Sequence, residues 1–218
     1  MCSITGSFNR ERLIDLVRLN AHRGTHSNSI SRYNVKERNF DIITKKLGPV
    51  VFDEIPETSD DHYLIVHQQA PTTEARSEEH IHPAFFRGRI LWHNGMLKEQ
   101  AIKDLQIDLN TPESWDTKLF LMKIIEDEGD IPLVDGSFSC VMYDPECKQP
   151  LSIFRNPLSP LFLGPLGDIS SMRFEGSVPT EPNIEYRLDF DPHGKGIYFN
   201  AVGSFRCYDM PWYTGIGE

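Results

Sequence analysis

The chain lacks any hydrophobic run able to span a bilayer. Leu64-Ile65-Val66 and Leu119-Phe120-Leu121-Met122 are among its longest apolar stretches, far short of the ~20 residues a spanning helix requires. Its opening, Met1-Cys2-Ser3-Ile4-Thr5-Gly6, carries neither the basic flank nor the apolar core of a signal peptide. Positive charge is scarce as well: 22 Lys and Arg face 32 Asp and Glu, for a net charge of −10. Proteins that neutralise nucleic-acid phosphates or anionic lipid carry the opposite balance. Neither nucleic acid nor membrane is therefore expected as a partner. The four cysteines (Cys2, Cys140, Cys147, Cys207) are scattered and form no CxxC pair. In a chain of this length that argues against a disulfide framework and for a cytoplasmic setting.

The composition is otherwise that of a globular protein. Hydrophobic residues make up 39% and charged residues 25% of 218, enough to bury a core without disulfides or structural metal. No repeat, linker or low-complexity run interrupts it, so a single domain over 1–218 is expected. Cys2, Ile4, Gly6 and Phe8 alternate with Ser3, Thr5 and Ser7, which predicts a strand at the start. Further strands are expected at His62–Gln68, Arg89–His93, Ser137–Tyr143, Leu151–Phe154, Leu161–Gly164, Ile184–Phe190 and Gly196–Asn200. Helical spacing of apolar residues predicts helices over Arg10–Asn20 and Asp116–Glu128. Short strands around two helices give an α+β domain with packed sheets.

Three groups of residues carry possible chemistry. Cys2 becomes the first residue once Met1 is removed, which puts a thiol and a free α-amine on one residue. The plainer reading is a buried strand residue. Asn94-Gly95 follows a strand and fits either a hairpin turn or an oxyanion hole of one carboxamide and one backbone N–H. Asp116 opens a helix, where it serves as a cap or as a carboxylate for a substrate ammonium. His80, His82 and His93, with Glu78 and Glu79 nearby, are zinc-ligand types. No HExxH helix or Cys/His quartet accompanies them, so neither a metal nor another cofactor is expected.

In order along the chain, these residues resemble one family. Met1-Cys2-Ser3-Ile4-Thr5-Gly6, Ala21-His22-Arg23-Gly24, His67-Gln68-Gln69-Ala70-Pro71-Thr72 and His82-Pro83 are followed by His93-Asn94-Gly95 and Ser114-Trp115-Asp116-Thr117. Asp135-Gly136-Ser137-Phe138-Ser139 and Arg155-Asn156-Pro157-Leu158-Ser159-Pro160-Leu161 complete the series. Each fragment alone is weak, but the ordered set is similar to the class II, N-terminal-nucleophile glutamine amidotransferases. The glutaminase domains of asparagine synthetase and glucosamine-6-phosphate synthase are of this kind. The resemblance implies a four-layer αββα sandwich of two mostly antiparallel sheets. It also implies hydrolysis of the glutamine side-chain amide through a thioester on Cys2. Asn94 and Gly95 would hold the oxyanion, and Asp116 and Thr72 would bind substrate.

One departure from the family pattern bears on substrate. Gln69 stands where the family has the Arg that clamps the glutamine α-carboxylate. An amide replaces a bidentate, charge-assisted contact poorly. Three readings follow: Arg76 restores the charge, the substrate is a different carboxamide, or the site has decayed into a binding or regulatory module. Family enzymes also carry an acceptor for the ammonia, and no GxxxxGK[ST] phosphate loop is present. A stand-alone glutaminase feeding a synthetase or transferase on another chain is therefore expected.

Overall fold

The computed structural model describes residues 2–70, 78–190 and 197–208. In chain order it contains β1 (Ser3–Ser7), α1 (Arg10–Asn20), β2 (Ser27–Asn34), β3 (Asn39–Leu47), β4 (His62–Gln69), β5 (Ala84–Phe86) and β6 (Arg89–Leu97). Then follow α2 (Glu99–Asp108), α3 (Asp116–Glu126), β7 (Gly136–Tyr143), β8 (Leu151–Arg155), β9 (Phe162–Leu163) and β10 (Ile169–Ser170). β11 (Val178–Pro179), β12 (Ile184–Phe190) and β13 (Ile197–Ser204) complete the described elements.

These strands form two antiparallel sheets. One runs β11-β9-β10-β1-β4-β2-β3 and the other β13-β12-β8-β7-β6-β5. The period-2 pattern of the strands sorts their side chains into separate cores. Ile4, Tyr63 and Ile65 meet Ile90, Trp92, Val141 and Ile153 between the sheets. Leu64 and Val66, on the other face of β4, pack with Leu13, Ile14 and Val17 of α1. Leu91, Phe138 and Cys140 pack against Leu105 of α2 and Leu119, Phe120 and Ile124 of α3. The order is thus helix, sheet, sheet, helix pair, the expected αββα sandwich.

Local chemistry sets the helix ends. The Asn9 side chain accepts from Arg12 N at 2.9 Å and caps α1. α3 starts at Asp116 as expected but stops two residues early, at Glu126; Glu128 and Gly129 have turned to positive φ, 58° and 99°. The β2–β3 hairpin and α2 are additions to the expected elements. β2 shows no clear apolar period, since it buries Ser27, Asn28, Ser29 and Ser31 completely; α2 does, with Ala101, Ile102, Leu105 and Leu109 at helical spacing.

Candidate active site

Cys2 sits at the buried start of β1. Because β1 runs antiparallel to β4, with Ser3 opposite Gln68, the start of β1 meets the end of β4. The Cys2 thiol lies 3.8 Å from the Ala70 carbonyl oxygen. The turn before β2 closes over the same end. A Cβ on Gly24 would fall 2.5 Å from the Gln69 carbonyl carbon, so glycine permits the close approach. That approach puts the neighbouring Arg23 beside Cys2, where its Nε donates to the Cys2 carbonyl at 2.9 Å. Burial pushes the Cys2 thiol above its ordinary value, and the Asp116 carboxylate adds to the rise. A backbone hydrogen bond at Ala70 and the Arg23 guanidinium pull the other way.

β6 runs through Asn94 and Gly95 without turning. Asn94 lies opposite Ser139 and Gly95 opposite Phe138 on β7, which removes the hairpin reading. Gly95 has φ 155°, and a Cβ there would fall 1.9 Å from the Ser137 carbonyl oxygen. No other residue fits that backbone. Asn94 is buried with its side chain toward the first sheet: Nδ2 lies 3.1 Å from Ser171 Oγ and 3.4 Å from Ser139 Oγ. Ser171 in turn accepts from Ile4 N at 2.9 Å. One hydroxyl therefore links Asn94 to the strand that carries Cys2.

Asp116 opens α3 with its carboxylate turned back onto the protein. Oδ1 accepts from Thr117 N at 2.7 Å and Oδ2 from Leu97 N at 3.2 Å. Thr117 Oγ1 lies between His82 Nε2 at 2.9 Å and His93 Nδ1 at 3.2 Å. His93 Nε2 faces the Ser137 carbonyl at 3.1 Å and His67 Nε2 faces the His93 carbonyl at 3.2 Å. A carbonyl only accepts, so both Nε2 atoms carry hydrogen. The His67 and His82 rings lie 4.2 Å apart. Burial pushes His67 down to about 3 and His82 well below its ordinary value.

Gln69 is engaged at both ends of its carboxamide. Nε2 donates to the His80 carbonyl at 3.1 Å; Oε1 accepts from Ser27 Oγ at 3.2 Å and His82 N at 3.3 Å. It ties the end of β4 to the segment that carries His80 and His82. Thr72 and Arg76 lie outside the described residues.

A cleft of about 860 Å³ opens beside Asp116, lined also by His80, Met96, Leu97, Ile102 and Trp115. Cys2, Asn94 and Gly95 lie off its lining. Among the described residues no group of three or more His, Cys, Asp and Glu could hold a metal ion, and no helix is long and apolar enough to cross a membrane.

Residue by residue, the sequence does not single out Ser171, Thr117 or His67 as site groups and gives Arg23 no role of its own. Serines and threonines carry no periodic signal, and His67 reads as an ordinary residue of an apolar strand. Arg23, His67 and Thr117 are visible only as parts of motifs.

No protein-family model matches the chain, and no curated protein matches it. Solved structures do. A glutamine phosphoribosylpyrophosphate amidotransferase from B. subtilis, complexed with ADP and GMP, superposes with a TM-score of 0.64 at 16% identity over 92% of this chain. The allosteric regulatory enzyme of purine biosynthesis superposes at 0.62 and 17% identity, also over 92%. This chain spans about half the length of those two, 49% of each. These superpositions establish a fold alone, and it is the fold shared with that glutamine phosphoribosylpyrophosphate amidotransferase.

Proposed function

We propose that the chain is a glutamine amidotransferase domain that hydrolyses the side-chain amide of glutamine. Removal of Met1 frees the α-amine of Cys2, which takes the thiol proton. The sulfur attacks the carboxamide carbon, and the developing oxyanion is held by the Asn94 carboxamide and the Gly95 N–H. The C–N bond breaks, ammonia leaves with the proton from the α-ammonium, and a glutamyl thioester remains on sulfur. Water attacks that thioester, releasing glutamate and restoring the thiol. Asp116 pairs with the substrate ammonium, with Thr72 and Arg76 as further substrate contacts. The ammonia passes to a synthetase or transferase on another chain.

The observation that carries this reading is the placement of Cys2. It is buried at the start of β1 and held through its carbonyl by Arg23. The test is glutamine hydrolysis by the Met1-processed chain and its loss in Cys2→Ala. Hydrolysis that survives that change would remove Cys2 as the nucleophile.

One observation favours a second reading, an amidase on another carboxamide. Both ends of Gln69 are spent on His80, His82 and Ser27, so it offers a substrate carboxylate little. A panel of primary amides assayed beside glutamine separates the two. A site that acylates on none of them is a decayed binding module.

A further inference from the structure

The cleft of about 860 Å³ beside Asp116 is larger than one free amino acid requires. Volumes of ~300–1,000 Å³ hold drug-sized molecules. The cleft adjoins the proposed reacting residues through β6. Gly95 is followed directly by Met96 and Leu97, which line it, and the Leu97 N–H donates to Asp116 Oδ2 at 3.2 Å. The step from Gly95 to Leu97 is about 7 Å along a strand, a span one glutamine residue covers between its amide and its α-amine. A glutamine with its amide at Gly95 therefore sets its α-carbon at the edge of the cleft.

The chemistry of the lining is one-sided. Asp116 keeps 15% of its side chain exposed, and a carboxylate that accepts two backbone N–H groups still has lone pairs for an ammonium. Among the described residues there, no comparable group receives an anion. Lys98 and Lys103 reach the rim, but Lys98 pairs with Asp135 at 3.0 Å and Lys103 with Glu99 at 2.6 Å. The His80 ring packs edge-on against Trp115 at 5.6 Å. Gln69, where the resemblance implies an Arg, spends both ends of its amide on His80, His82 and Ser27. Beyond Asp116 the lining is apolar: half-exposed Met96, Ile102 and Trp115. Such a surface suits a cation followed by an apolar group, and it offers a neighbouring carboxylate little.

We propose that the preferred substrate is a glutamine at the amino end of a peptide, with an apolar second residue in the cleft. Such a glutamine keeps its α-ammonium for Asp116 and has no α-carboxylate, because that carbon is tied up in the peptide bond. The second residue lies against Met96, Ile102 and Trp115. That preference rests on the glutaminase reading of Cys2 and leaves its chemistry unchanged. The sulfur displaces ammonia from the side-chain amide, and water then releases the acyl group. The terminal glutamine becomes glutamate, and the peptide bond stays intact.

The test assays the Met1-processed chain with free glutamine, Gln-Phe, Gln-Gly and N-acetyl-Gln-Phe. Product is read by mass as the glutamate form, because an amino-terminal glutamine also loses ammonia by cyclising unaided. Gln-Phe should exceed both free glutamine and Gln-Gly by about tenfold in kcat/KM, the effect of burying one apolar side chain, and mostly through KM. Acetylation removes the ammonium and should cost about tenfold. Trp115→Ala should shrink the ratio of Gln-Phe to Gln-Gly by about threefold. Should that variant fail to fold, Met96→Ala, at a half-exposed position, reads the same ratio. Free glutamine hydrolysed as well as Gln-Phe overturns the peptide preference and leaves the glutaminase reading standing. Equal rates for Gln-Phe and its N-acetyl form overturn it too, since Asp116 then holds no ammonium. A chain that hydrolyses none of the four and gains no Cys2 adduct from a glutamine analogue sinks the glutaminase reading, and the preference with it.

Discussion

Arg23 donates from Nε to the backbone carbonyl of Cys2 at 2.9 Å, so a buried guanidinium holds the residue proposed as the nucleophile. The contact orients the start of β1, where the proposed mechanism brings the α-amine and the thiol into one site. Nη1 extends the clamp to Met172 Sδ at 3.5 Å, which joins the turn before β2 to the segment after β10.

Removing that clamp should cost both stability and rate. Arg23→Ala deletes a charge-assisted hydrogen bond worth about 1.5–3 kcal/mol. The urea midpoint should fall accordingly, and glutamine turnover should fall at least tenfold because Cys2 is no longer held. A variant with the parent's midpoint and rate would remove Arg23 from the account.

Asn94→Ala should lower kcat by about 10²–10³, the loss typical of one oxyanion donor. Alkylation of Cys2 by a glutamine analogue serves as the check that the nucleophile is still in place. An unchanged kcat excludes the Asn94 carboxamide from the reaction.

Gly95→Ala tests the backbone at the same point. With φ 155° and a Cβ placed 1.9 Å from the Ser137 carbonyl oxygen, β6 and β7 must part locally. The expected cost is about 3 kcal/mol, from backbone strain plus overpacking. Thermal unfolding measures it, and a melting temperature within a degree of the parent's contradicts the geometry.

How much of this was readable in the residues differs by region. β1, β4, α1 and α3 announce themselves through alternating or helical apolar spacing, and they carry Cys2, Gln69 and Asp116. The β2–β3 hairpin does not, because Ser27, Asn28, Ser29 and Ser31 fill buried positions where a hydrophobic period would be sought. α2 does carry the helical spacing, with Ala101 and Leu105 buried and Ile102 and Leu109 half-buried against the same core, so its pattern was present in the residues. Asn94-Gly95 carries a turn signal that tertiary pairing with β7 overrides. The serine cradle around Asn94 was hidden for another reason: Ser139 and Ser171 are 32 residues apart in the chain and meet only through the packing of the two sheets.

The buried histidines predict an acid-side loss of stability. His67 is pushed down to about 3 and His82 well below its ordinary value, both by burial. Both are neutral in the fold and gain a proton on unfolding. Their stabilisation is therefore complete above about pH 6.5, the ordinary histidine value, and is lost as pH falls from there toward the folded values. Each contributes a slope of about 1.4 kcal/mol per pH unit in that window. Urea unfolding at pH 7, 6 and 5 should show stability falling with pH, and His67→Gln should flatten the slope by about one proton. A slope unchanged by that substitution contradicts a neutral, buried His67.

The central claim is that Cys2, freed of Met1, is a nucleophile in a site that accepts glutamine. The most direct measurement is intact mass before and after treatment with 6-diazo-5-oxo-L-norleucine, a glutamine analogue that alkylates such thiols. The account predicts a chain lacking Met1 that gains a single adduct mapping to Cys2. A processed chain that gains no adduct, or one modified at Cys140, Cys147 or Cys207 instead, contradicts it.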